Sequence, residues 1–153
     1  VEGELGKVGG KEDDLEGDDD NPYTDPEEAK IFVEKTGVDY LAIGVGTAHG
    51  VYKGIPKVNT DLIATIHDMV DVPLVLHGTS GVPDEQVITA VKNGICKVNY
   101  ATDLRIAFTR GAKEFMAEHP EAFDPKKYSK QGMFEVQKYV EQKIEVCGSV
   151  GKA

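Results

Sequence analysis

The chain has 153 residues, 40% apolar and 29% charged, which is enough for one ordinary domain with the balance of a globular protein. It holds no run of about 18 apolar residues, so nothing reads as a membrane span, and no signal peptide is visible. The formal net charge is −10, with seven acids and one lysine in residues 11–20 alone, a local acidity that argues against the basic face that nucleic-acid binding demands.

The first element is a short strand, Val1 to Gly6, with Glu2 and Glu4 on one face because side chains two apart point the same way. It begins on Val rather than Met, inside an apolar alternation, so the chain reads as a piece of something longer. Gly9-Gly10 reads as a break. The acidic stretch over residues 11–24 reads as an exposed, mobile loop. At Thr24-Asp25-Pro26-Glu27-Glu28 a helix starts: Asp25 caps, Pro26 takes the first helical position, and Glu28 completes a capping box. Ala29, Phe32 and Val33 form its apolar stripe and Gly37 ends it.

A strand over Tyr40 to Val45 follows. Asn59 caps a helix that turns Leu62, Ile63, Ile66 and Met69 inward. Val72 to Leu76 is the next strand. Pro83 opens a helix with Val87, Ile88 and Val91 on its core face, stopped by Gly94. Ile95 to Asn99 is the fourth strand. Thr102 caps a helix to about Glu118, with Leu104, Ile106, Phe108 and Phe115 as core residues. Pro120 and Pro125 mark a loop, and a last helix runs from about Met133 to Val146. Cys96 and Cys147, far apart in the chain, read as free, buried thiols of a reducing compartment.

Short apolar strands alternating with amphipathic helices imply an α/β fold with a parallel sheet. Four βα units are half of a TIM (β/α)8 barrel, which takes about 250 residues. The expected architecture is therefore the second half of that barrel, strands 5–8 with their helices and a C-terminal helix, forming one unit over residues 1–153. A doubly wound sheet is the alternative, but no G-x-G-x-x-G nucleotide loop is present.

The chemistry concentrates at strand ends. Leu41 to Gly50 and Pro73 to Ser80 each end an apolar run on His-Gly, and the two histidines, His49 and His77, lie 28 positions apart, one strand–helix–strand repeat. Imidazoles at neighbouring strand ends suit a catalytic zinc, which uses few protein ligands and keeps an open position. Glu4 is the best third ligand in this chain, with Glu2 on the same face as its substitute; the structural alternative for both acids is an ion pair at the barrel mouth. His67 and His119 read as surface residues. Gly78-Thr79-Ser80 and Asn99-Tyr100-Ala101-Thr102 combine small and hydroxyl residues with a helix start, which leaves backbone N–H groups for phosphate oxygens. Plain capping would equally explain Thr102. Arg105, one turn later, offers a charged fork for a second phosphate, or is a surface arginine. The acidic loop fails as an EF-hand because its twelfth position is Tyr23; as a lid it would bring Glu12 over a substrate as a base. Lys97 raises a Schiff-base reading, which the metal reading displaces.

Together, V-E-G-E-L-G-K-V-G-G-K-E-D, G-V-G-T-A-H-G, P-L-V-L-H-G-T-S, K-V-N-Y-A-T-D-L-R-I-A-F and C-G-S-V-G-K-A resemble the class II, metal-dependent ketose-bisphosphate aldolases, over the second half of a family member. The resemblance implies zinc-dependent, reversible aldol cleavage of a phosphorylated sugar to dihydroxyacetone phosphate and glyceraldehyde 3-phosphate. It implies His49 and His77 as zinc ligands, Glu4 as a ligand in an alternate metal position, and Glu12 as the mobile-loop proton-transfer residue. It implies Gly50, Gly78, Thr79, Ser80, Asn99, Tyr100, Ala101 and Thr102 as the dihydroxyacetone-phosphate site and Arg105 as a contact to the other phosphate. It further implies a monovalent cation (Na+ or K+) beside the zinc, a cytoplasmic homo-oligomer (dimer or tetramer), and a missing N-terminal half that carries another metal histidine and an acid/base aspartate. Ala101 departs from the fructose-bisphosphate members, which place an acid there, and N-x-A-T is the tagatose-bisphosphate pattern. The expected substrate is therefore tagatose 1,6-bisphosphate, with fructose 1,6-bisphosphate as the alternative. A non-catalytic phosphate-binding half-barrel and a metal hydrolase are the rival readings.

Overall fold

The computed structural model describes residues 1–6 and 23–152 in full and the backbone of residues 9–12 and 15–16. It divides into two compact units, residues 1–100 and 101–153. In chain order the first unit contains β1 (Glu2–Leu5), β2 (Gly9–Glu12), β3 (Leu15–Glu16), α1 (Pro26–Thr36), β4 (Tyr40–Ile43), β5 (Ala48–His49), α2 (Thr60–His67), β6 (Leu74–Leu76), α3 (Asp84–Lys92) and β7 (Ile95–Val98). The second contains α4 (Thr102–Glu118) and α5 (Pro125–Val146). Among the described residues no helix is long and apolar enough to cross a membrane.

The main sheet has the order β1-β4-β6-β7, and every pairing in it is parallel. Each strand lies beside the next one of this sheet in the chain, without the reversal of order that defines a doubly wound sheet. This is the winding of a barrel, four strands of the expected eight. The parallel crossovers are long because α1, α2 and α3 fill them. Leu41, Ile43, Leu74, Leu76, Ile63, Ile66 and Val87 are fully buried, and each such side chain contributes about 1.5–3 kcal/mol relative to exposure.

Local signals place the helices. Asp25 accepts hydrogen bonds from the Glu27 and Glu28 N–H groups, and Asn59 accepts one from Leu62. Other expectations need correcting. The strands are shorter than the apolar runs: β4 stops at Ile43, and Val45 lies beyond it in an isolated bridge to Tyr23. Gly9-Gly10 is not a break, since its backbone pairs in parallel with Ala48-His49 as part of a second sheet, β3-β2-β5. Backbone pairing of Lys11 with Glu16 and Glu12 with Leu15 stands where a loop was expected. The rest of the acidic stretch up to residue 22, and the Glu12 side chain, lie outside the described residues.

Ile88 and Ile106 are exposed, because Val87 with Ala90 and Ala107 with Ala112 take the inward positions of their helices. Thr102 is not a cap: it is the first helical residue, Ala101 holds the cap position, and no side chain caps it. Pro125 opens α5, which begins there instead of near Met133, and marks no loop, because Asp124 caps the helix through the Lys126 N–H. Gly132 lets α4 and α5 approach: a Cβ there would lie 2.8 Å from the Phe108 ring. Both cysteines are free, as expected, but Cys96 is exposed and Cys147 only half-buried.

Candidate metal and phosphate site

Alternation in β1 sends Glu2 and Glu4 to the face opposite Gly3, whose own face packs on Phe32 of α1. The same face of β6 and β7 carries His77, just beyond Leu76, and Lys97. These side chains converge. His77 Nε2 lies 3.0 Å from Glu2 Oε1, and His77 Nδ1 lies 3.3 Å from Glu4 Oε2. Lys97 Nζ donates a 2.7 Å hydrogen bond to Glu2 Oε2.

The Glu2–Lys97 contact reports the curvature of the sheet. β1 and β7 are its two edges, so three strand spacings of about 4.8 Å, roughly 14 Å, would separate them in a flat sheet. Their side chains meet because the sheet curls around this face, as a barrel wall must. The Lys97 bond, followed by that to His77, holds the Glu2 carboxyl below the usual carboxylate range, against an opposing effect of burial.

His49 approaches from the next strand end. Its ring centroid lies 5.9 Å from that of His77, with the planes inclined at 34°. Zinc–nitrogen bonds of about 2.0–2.1 Å put two ring centres roughly 5.2 Å apart at the tetrahedral angle and at most about 6.4 Å apart, so the observed spacing is within reach of a common ion and somewhat wider than its ideal geometry. The donor set fits as well, since two imidazoles and a carboxylate suit zinc. Glu4 faces Nδ1 of His77, leaving Nε2 to Glu2. Among the described residues, however, no three His, Cys, Asp or Glu side chains stand in a finished metal cluster. The chain thus brings together His49, His77 and Glu4 as an incomplete ligand set, with Glu2 behind it. Lys97 acts as a strut across the face.

The turn Gly78-Thr79-Ser80 leaves β6 beside the β5 backbone. Gly78 has φ +62°, and a Cβ there would stand 2.6 Å from the Ala48 carbonyl oxygen, so only glycine fits. Thr79 and Ser80 are buried, and the Thr79 hydroxyl donates to the Leu76 carbonyl. Gly50, after His49, also has positive φ. Asn99 is tied to β6 through its N–H and the Leu76 carbonyl, and Tyr100 follows it at the end of the first unit. In the second unit Ala101 and Thr102 begin α4 without a side-chain cap, and Arg105 is exposed one turn on. His67 and His119 are exposed, as expected of surface residues.

Sequence reasoning missed Tyr52, whose hydroxyl links the two His-Gly turns: it accepts from the Ala48 N–H at 2.7 Å and donates to the Gly78 carbonyl at 2.8 Å. The only signal would have been an aromatic residue three positions past a strand-end histidine, which by itself says nothing.

The family described as "Fructose-bisphosphate aldolase class-II" matches residues 1–152, and the chain belongs to that family. Solved structures agree. The YdjI aldolase from Escherichia coli K12 is 39% identical with a TM-score of 0.76, over 86% of this chain and 48% of that one. A putative fructose-1,6-bisphosphate aldolase from Coccidioides immitis is 28% identical with a TM-score of 0.82, over 99% of this chain and 53% of its own. The fructose-bisphosphate aldolase of Campylobacter jejuni is 25% identical with a TM-score of 0.78, over 99% and 52%. The chain therefore spans about half the length of these aldolases, and its four parallel strands are half of a TIM barrel.

Proposed function

We propose that this chain is the C-terminal half of a metal-dependent aldolase that reversibly cleaves a ketohexose 1,6-bisphosphate, tagatose in preference to fructose, into dihydroxyacetone phosphate and glyceraldehyde 3-phosphate. The observation that carries this reading is the approach of the His49 and His77 rings to 5.9 Å, with Glu4 beside Nδ1 of His77, in a chain of the class II family. His49 and His77 would hold a divalent ion, zinc on this reading, with Glu4 as an alternate ligand. When bound, the ion would supply Lewis acidity at the substrate's ketone oxygen. Gly50, Gly78, Thr79, Ser80, Asn99, Tyr100, Ala101 and Thr102 take the role of phosphate binding, mostly through backbone N–H groups, and so fix the orientation of the substrate. Arg105 takes the second phosphate and Glu12 the proton transfer. Closing the barrel requires four further strands, which the relatives' additional length accommodates.

Metal analysis of the intact protein tests the core of this reading. Bound zinc should be lost in His49→Ala and in His77→Ala; unchanged metal content in both variants would defeat it. A coupled assay on both epimeric bisphosphates tests the substrate, with a higher kcat/KM expected for tagatose. Ala101→Asp should shift the ratio toward fructose by restoring an acceptor for a substrate hydroxyl.

A further inference from the structure

Among the described residues, strand pairing does not join His49 to His77. The pairing of β4 with β6 runs over Leu41–Leu74 and Ala42–Val75 only, and both histidines lie beyond it. The Tyr52 hydroxyl bridges this gap. Ala48, whose N–H it accepts, immediately precedes His49; Gly78, to whose carbonyl it donates, immediately follows His77. A phenol has a single proton, and here it is committed to Gly78. Burial raises the Tyr52 pKa, so that proton stays in place through the neutral range. The ring itself is held: a Cβ on Gly81 would stand 3.2 Å from Tyr52 Cδ2, so the phenol lies flush against the backbone of the turn after Ser80.

We infer that Tyr52 is a positioning residue that sets the separation of His49 and His77 by pinning the Ala48 and Gly78 backbones to one oxygen. This rests on the reading of the two histidines as ligands to one ion. Without the bridge the His-Gly turns would keep the packing of Gly78 on the Ala48 backbone and lose the two hydrogen bonds that fix their separation. The two imidazoles would then have to be ordered on binding, at a cost to affinity. Residues that orient a ligand without touching the metal typically control its affinity by about 10–100-fold.

The test is cobalt(II) titration of the intact protein, read by visible absorption well below the melting temperature. Tyr52→Phe should bind cobalt about 10–100-fold more weakly, with an altered absorption band, and saturating metal should restore kcat. Should Tyr52→Phe fail to fold, 4-fluorophenylalanine at position 52 fills the space of the hydroxyl without a proton to donate. With 4-aminophenylalanine, which keeps a donor and an acceptor on the ring, affinity should return toward the wild-type value. The control is Thr24→Val, which removes a similar bridge, from Thr24 Oγ1 to the Leu5 carbonyl at 2.6 Å and from the Gly44 N–H at 2.8 Å, away from both histidines. It should lower stability and leave cobalt affinity unchanged. Wild-type affinity in Tyr52→Phe, or equal weakening in Thr24→Val, would overturn the positioning role. Cobalt binding insensitive to His49→Ala and His77→Ala would instead defeat the ligand reading, and the positioning role would fall with it.

Discussion

Gly78→Ala separates two costs that usually arrive together. Gly78 and Gly37 occupy nearly the same left-handed backbone conformation, with φ +62° and +64°, but differ in what surrounds them. A Cβ at Gly37 meets nothing within 4 Å, whereas one at Gly78 would lie 2.6, 2.8 and 3.0 Å from the O, C and N atoms of Ala48. Alanine at Gly37 should therefore cost only the left-handed penalty, about 1–2 kcal/mol. At Gly78 the same penalty is joined by overpacking against rigid backbone, about 1–3 kcal/mol, for a total of roughly 2–5. The entropy gained by replacing a glycine acts on the unfolded chain in both variants and cancels in the comparison. Urea denaturation at neutral pH gives both values. The expected result is a lower midpoint for Gly78→Ala than for Gly37→Ala, with weaker cobalt binding in Gly78→Ala alone, because the displaced segment carries His49. Equal destabilisation by the two substitutions would refute the reasoning, since it would mean that the Ala48 backbone yields freely and the two turns are not held against each other.

Two further outcomes are expected. Leu76→Ala removes a fully buried side chain from the middle of the parallel sheet and should cost about 2–5 kcal/mol, seen as a lower denaturation midpoint at unchanged slope; a loss below about 1 kcal/mol would contradict its place in the core. Glu135 of α5 is held below the usual carboxylate range, first by its bond to Lys138 and then by that to Arg110 of α4. A depressed folded pKa means that this stabilisation is complete above the unfolded value and is lost as pH falls through the folded one. Glu135→Gln should therefore be less stable than the parent near pH 7 and converge with it in acid. A stability difference independent of pH down to full protonation would contradict the assignment.

The residues that were legible in the sequence are those whose signals are local. Asp25-Pro26 and Asn59 mark their helices because a cap acts within one turn of the chain. The same dipeptide at Asp124-Pro125 carried the same information, but Pro125 with the nearby Pro120 read as a loop. Ile88 and Ile106 read as core because periodicity selects a helix face without saying how wide the buried stripe is. The short β5, paired with Gly9-Gly10, carried no recognisable local pattern.

The His-Gly strand ends and the alternation of strand and helix are properties of the chain alone, since period-two and period-3.6 patterns and glycine turns are written residue by residue. Which carboxylate meets which nitrogen of His77 is not. Glu2 and Glu4 share one face of β1 and are equivalent in sequence. It is the curl of the sheet that sends Glu2 to Nε2 and to Lys97, 95 residues away, while Glu4 stands at Nδ1. The tertiary structure alone also assigned Tyr52, because a hydroxyl that joins two backbones 30 residues apart has no signature until the chain has brought them together.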